Sequence, residues 1–179
     1  MAPRDPTRLV IDADVLMNIV ATGRAHEILA AGGGALLCPQ VEAEVLYLEA
    51  DDEMSPPEPI DLGPLIASGV LERVSMSRSE VDLFVQFAAE VDDGEAQVIA
   101  VAVERAGLPA TDDRRARRLA INRRDEVVGT PEILKHWSDA SGAGVEEVRV
   151  AIERVERRAH FRPRRDHPLA AWWEDPKRT

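Results

Sequence analysis

The sequence predicts an α/β fold: a central parallel sheet with helices on both faces. Short apolar runs alternate with longer stretches of helical periodicity along the chain. The runs are apolar at consecutive positions, as in strands buried on both faces, whereas half-exposed strands alternate apolar and polar. No internal repeat competes with this reading, and 179 residues suit one domain able to bury a core without disulfide or metal staples.

Arg8 to Asp12 reads as a buried strand ending in an acid, followed by a helix from about Asp14 with Val15, Leu16, Ile19 and Val20 on its apolar stripe. A second helix, Arg24 to Ala31, stops at the glycines 32–34. Ala35 to Cys38 is a second strand, closed by Pro39, and Gln40 to Ala50 is expected to be helical throughout. Asp51 to Pro59 is acidic and carries three prolines, which predicts an exposed loop. Ile60 to Ser68 reads as a short helix interrupted at Pro64, and Val70 to Val74 as a third strand. Ser77 and Glu80 have capping-box spacing for a helix to about Ala89. The next helix, Gly94 to Ala106, ends at Gly107, and Leu108 to Thr111 is a fourth strand. An Arg-rich helix over 114–121 precedes a fifth strand, Glu126 to Gly129. Thr130 then caps a helix with Pro131 at its first position, and Val145 to Arg158 is the last amphipathic helix.

Composition excludes several classes. The single cysteine, Cys38, rules out a disulfide framework and a cysteine-based zinc cluster. The longest apolar run, Val98 to Val103, is far short of the ~20 residues that span a bilayer. Arg4, Asp5 and Arg8 leave no apolar signal core near the start, so a cytoplasmic setting is expected. The net charge of −11 argues against a general nucleic-acid coat, but it is unevenly spread: residues 1–113 carry −16 and residues 114–179 carry +5. Such a division suits a carboxylate-lined site beside a phosphate-holding surface; a solvated acidic surface with a basic tail accounts for it equally simply.

Ligands of open parallel sheets bind outside the carboxyl ends of the strands. Asp12, with Asp14 close behind, Glu42 and Glu44, Asp92, Asp93 and Glu95, and Asp112 and Asp113 all fall near that edge. Asp12 follows three apolar residues, where a carboxylate is costly unless paired or bound to a cation. A divalent cation also relieves the repulsion among gathered acids, and hard oxygen donors without thiols favour Mg²⁺ or Mn²⁺. Hydrolysis of a phosphodiester is the chemistry such a site serves. Plainer roles stand beside this one: Asp14, Asp92, Asp93 and one of the 112–113 pair as helix caps, Glu42 as a water-facing residue, and Glu95 as a complement to a helix dipole.

Together the strings Val10-Ile11-Asp12-Ala13-Asp14, Pro39-Gln40-Val41-Glu42-Ala43-Glu44, Asp93-Gly94-Glu95-Ala96 and Thr111-Asp112-Asp113 with Arg117 resemble the PIN-domain family over residues 8 to about 134. The resemblance implies a three-layer, Rossmann-like fold and a Mg²⁺- or Mn²⁺-dependent endoribonuclease. It further implies the toxin of a toxin–antitoxin pair of the VapC-like kind, often dimeric and silenced by a small antitoxin. Carried over residue by residue, Asp12, Glu44 and Glu95 match the first three catalytic acids and Asp112 or Asp113 the fourth, all five as metal ligands, with Thr111 as a nearby hydroxyl. Asp14 departs from the pattern, standing where Ser, Thr or Asn is usual, and Asp93 competes with Glu95 for the third position. A haloacid-dehalogenase-like phosphatase shares the strand followed by Asp-x-Asp, but it needs a lysine before the late acid pair, and the lysines here are Lys135 and Lys177.

Arg114, Arg115 and Arg118 follow the acid pair and are expected to grip RNA phosphates, with a solvated helix that pairs with the acidic surface as an equal alternative. The expected organisation is a PIN-like nuclease domain over 1–144, then a C-terminal helix and basic, Trp-containing tail over 145–179 without a clear family counterpart. Trp172 and Trp173 are expected to dock on their own domain or a partner, with single-strand binding as the alternative. The rival to a nuclease is an inactive PIN-like module that acts by binding a partner.

Overall fold

The computed structural model describes residues 8–52, 54–123 and 126–177. Its centre is a four-stranded parallel sheet built from β1 (Leu9–Ile11), β2 (Ala35–Leu37), β5 (Leu71–Arg73) and β6 (Leu108–Ala110), in the order β5-β2-β1-β6. The central strands β1 and β2 are buried at every residue, which explains their unbroken apolar sequences. β6 lies at the edge. There Pro109 costs no ladder bond to β1: Leu108 N–H donates to the Arg8 carbonyl, and Asp12 N–H to the Ala110 carbonyl.

Helices α1 (Ala13–Ala21), α2 (Ala25–Ala31), α5 (Arg78–Phe87), α6 (Asp93–Glu104), α7 (Arg114–Ile121), α8 (Thr130–Ser141) and α9 (Val145–Arg158) cover the sheet. Ser77 and Glu80 form the capping box the spacing predicts: Ser77 Oγ accepts from Glu80 N–H, and the Glu80 carboxylate accepts from Ser77 N–H. Glu80 is also buried against Arg105, so the cap ties α5 to α6. None of the described helices is long and apolar enough to cross a membrane.

Several boundaries differ from expectation. Asp12, not Asp14, holds the N-cap position of α1. The helix expected over 40–50 is α3 (Pro39–Glu44) and stops at Glu44; Tyr47–Leu48 forms β3 instead, antiparallel to β4 (Glu58–Pro59). Val45 to Leu48 is β-branched, γ-branched and aromatic, and a partner strand lies within reach, so pairing wins over helix continuation. Part of the predicted acidic loop is therefore a strand. Pro64 lies in the first turn of α4 (Gly63–Ala67), where a missing N–H costs nothing, so it starts the helix and does not interrupt it. The fifth strand contracts to one bridge, Val128 against Ala110. Gly129, not Thr130, is the N-cap of α8.

The segment after residue 144 joins the main core. Val148, Ala151, Ile152 and Val155 of α9 share one apolar cluster with β1, β2 and α1. Trp173 of α10 (Ala170–Glu174) is fully buried in the same cluster and donates from Nε1 to Glu156, so the tryptophan docks on its own domain.

Candidate active site

The carboxyl ends of β1 and β6 lie side by side in register and deliver Asp12 and Thr111 to the same place. Asp12 is 6 % exposed, and its side chain does not cap α1. Its Oδ2 accepts a 3.3 Å hydrogen bond from Thr111 Oγ1, and Thr111 Oγ1 itself accepts from Asp113 N–H at 3.2 Å. One buried hydroxyl thus fixes Asp12 relative to the turn that carries the acid pair. Burial is the main cause that pushes the Asp12 carboxyl up to about 7; Asp14 and Asp92 add to it, while hydrogen bonds from Ala13 N–H and Thr111 oppose it.

Asp92 is the N-cap of α6, accepting from Glu95 N–H at 2.9 Å. Glu95 sits in the first turn, half-buried, and is also pushed up to about 7, first by desolvation and then by Asp92, Asp113 and Asp12. Asp14 faces solvent from the first turn of α1, yet desolvation of its carboxyl, then Asp92 and Asp113, raises it. Asp113 caps α7 by accepting from Arg115 N–H at 2.6 Å and Ala116 N–H at 2.9 Å. The structure therefore gathers Asp12, Asp14, Asp92, Glu95 and Asp113 into one field of mutual repulsion. Among the described residues, no Lys, Arg or His forms an ion pair with any of the five. Arg117 is engaged by the Thr111 carbonyl and by Glu132, and Arg115 borders Asp92, Glu95 and Asp113 without an ion pair to them among the described residues.

The other expected residues lie differently. Asp112 turns away from the cluster and accepts from Thr130 N–H at 2.9 Å, Thr130 Oγ1 at 2.6 Å and Asn18 Nδ2 at 3.2 Å. Its carboxyl is raised, burial outweighing the Thr130 bonds. Asn18 and Thr130 supply this second environment, and Asn18 follows Asp14 by one turn on α1, a local signal for a polar face there. Glu44 is exposed at the end of α3, accepts from Gln40 Nε2, and lies over Gly94, where a Cβ would stand 2.6 Å from its Oε2. This puts Glu44 at the first turn of α6, beside Glu95. Glu42 does not simply face water: Arg73 grips it through Nε and Nη2 and holds its carboxyl below the usual range. Asp93 is exposed and is not among the charges acting on Asp12 or Glu95. Arg114, Arg115 and Arg118 are all exposed, and Arg115 lines a shallow depression with Asp92, Glu95 and Asp113.

A family model described as a PIN domain matches residues 8–167. The chain belongs to the PIN-domain family. No curated protein and no solved structure matches it. PIN domains are in general nucleases and typically use divalent metal ions. The match also runs through α9 to residue 167, so residues 145–167 have a family counterpart, contrary to expectation, while residues 168–179 lie outside the match. Among the described residues of this PIN domain, no three His, Cys, Asp or Glu side chains are arranged as a ready-made cation cage. The donors nonetheless fit a hard divalent ion in kind: all are carboxylate oxygens, burial and repulsion push the Asp12 and Glu95 carboxyls up, and among the described residues no Lys, Arg or His forms an ion pair with them.

Proposed function

We propose that this PIN-domain chain is a divalent-metal-dependent endoribonuclease that hydrolyses RNA phosphodiester bonds. The observation that carries the reading is the buried Asp12 carboxylate at the strand end, close to Asp14 and Asp92 and without an ion-pair partner among the described residues. Asp12, Glu95 and Asp113 would hold Mg²⁺ or Mn²⁺, with Glu44 at the first turn of α6 as a further donor. A bound ion of this kind neutralises phosphate charge and makes a water more acidic. The protein's own part is placement. Thr111 orients Asp12, the Asp92 cap orients the first turn that carries Glu95, and Asp112, braced by Asn18 and Thr130, fixes the turn that presents Asp113. Arg114, Arg115 and Arg118, exposed on α7 and without an ion pair among the described residues, would hold the flanking phosphates.

The biological role in keeping with this reading is the toxin of a toxin–antitoxin pair in the cytoplasm, silenced by a small antitoxin and able to pair with a second copy. Val81 and Val85, exposed one turn apart on α5, offer apolar surface for such a partner.

The test is cleavage of a mixed RNA pool by wild type and Asp12→Asn, each in Mg²⁺, Mn²⁺ or EDTA. Cleavage is expected only with wild type and metal, and Asp12→Asn is expected to lose it by several orders of magnitude while staying folded. Equal cleavage by the variant would sink the proposal. A folded wild type that neither cleaves nor gains thermal stability from the ions would instead mark an inactive module that works by binding a partner.

A further inference from the structure

A groove of about 630 Å³ opens directly beside the acids, with Asp14 and Asp112 on one wall. Met17 continues that wall along α1, Tyr47 of β3 rises on the other side, and His160 and Phe161 close the end where α9 gives way to the tail. Three features distinguish it from an ordinary surface fold. Tyr47 is 60 % exposed, and its ring has no hydrogen-bond or ring partner among the described residues. Phe161 is held rigid, edge-on to the buried Trp173 with ring centroids 5.8 Å apart. His160 occupies the left-handed position after α9 (φ 54), a place that usually takes glycine, at a cost of about 1 kcal/mol. There its side chain stays 73 % exposed on the rim.

Charge decides the occupant. Arg158 is already engaged by Glu58 and the Glu49 carbonyl, the His160 imidazole lies 3.9 Å from the Glu49 carboxylate, and Asp14 and Asp112 are acids, so among the described residues the groove offers no free cation to a phosphate. A nucleobase is neutral and flat, and aromatic faces bind any base by stacking. We infer that the groove takes one unpaired base next to the bond that is cut, with Tyr47 as the stacking residue and His160 and Phe161 bounding the slot. The inference rests on the ribonuclease reading and goes beyond it by naming the residues that would hold one base, Tyr47 with His160 and Phe161.

The test reads binding apart from cleavage. Fluorescence anisotropy of labelled oligo(U) and oligo(A) is measured in Mg²⁺ on an Asp12→Asn background, with Tyr47, Tyr47→Phe or Tyr47→Ala. Tyr47→Ala is expected to weaken binding about tenfold, the size of one base–aromatic stack, and Tyr47→Phe to keep it. Oligomers carrying one abasic residue at successive positions should show a single sensitive position with Tyr47 present and none with Tyr47→Ala. A flat abasic scan with unchanged affinity overturns the inference and leaves the groove to a protein segment. Wild type that cuts RNA in a Tyr47-independent way overturns the groove alone; Tyr47-dependent binding by a wild type that never cuts RNA overturns the nuclease alone.

Discussion

Two partly buried carboxylate sites in this molecule have opposite surroundings. At the sheet edge, Asp12 has one hydroxyl and a backbone N–H for company, with Asp14 and Asp92 close by, and its carboxyl rises to about 7. On α9, burial would likewise raise Glu156, but Arg162, Lys177 and the Trp173 indole all donate to it and hold it below its usual range. Both carboxylates are surrounded by protein, yet the chain supplies two cations to the second and none to the first. Satisfied acids are structural; an acid left unsatisfied in a buried place marks where something else must bind.

Substitutions can break that contrast or sharpen it. The largest effect on stability is expected at the satisfied site: Trp173→Ala empties a buried ring position and removes the Glu156 partner. It should cost about 3–5 kcal/mol in denaturant unfolding, the usual range for a buried Trp. A loss below about 1 kcal/mol would mean that the tail is not part of the core.

The next effect has the opposite sign. In metal-free protein Asp12→Asn should stabilise the fold by up to about 4 kcal/mol at neutral pH, because the folded carboxyl is pushed up to about 7 from its usual 3.8. Between those values the folded state holds a proton that the unfolded state has released, so metal-free stability should fall as pH rises through this window. Glu95, also pushed up to about 7, adds to the same slope. Thermal melts of both proteins in EDTA across that range check this; a wild-type slope equal to that of Asp12→Asn would show that Asp12 is not strained.

The smallest effect closes the comparison. Glu156→Gln removes a carboxylate whose value is lowered on folding, so its contribution is present above the usual value of 4.5 and is lost as pH falls below it. A loss of about 1–2 kcal/mol at neutral pH is expected, vanishing in acid. The same amide replacement should thus stabilise one site and weaken the other.

What was legible in the sequence follows the same division between local and distant causes. Leu9 to Ile11 ahead of Asp12, the Ser77–Glu80 box and the limits of α9 are written in neighbouring residues, and the structure has them as read. The end of α3 is not, because what turns Val45 to Leu48 away from a helix is Glu58–Pro59, inside a stretch that reads as loop. Asp112 and Asp113 are alike in sequence. Their separation comes from Thr130, 18 residues on, and Asn18, 94 residues back, which no local pattern reports. The gathering of Asp12 with Glu95 and Asp113 was an expectation of strand-end geometry; the helix caps that aim them come from Asp92 and Asp113 themselves.

The edge-to-face contact of Phe161 with Trp173 also sets an order of events during synthesis. The sheet, the acids and Tyr47 all precede residue 161 in the chain, so they leave the ribosome first and can assemble while the groove still lacks its end wall. Only when residue 173 has emerged and seated its indole on Glu156 is Phe161 held in place. On the proposed reading, the wall that would bound a base therefore depends, through Trp173, on residues near the end of the chain.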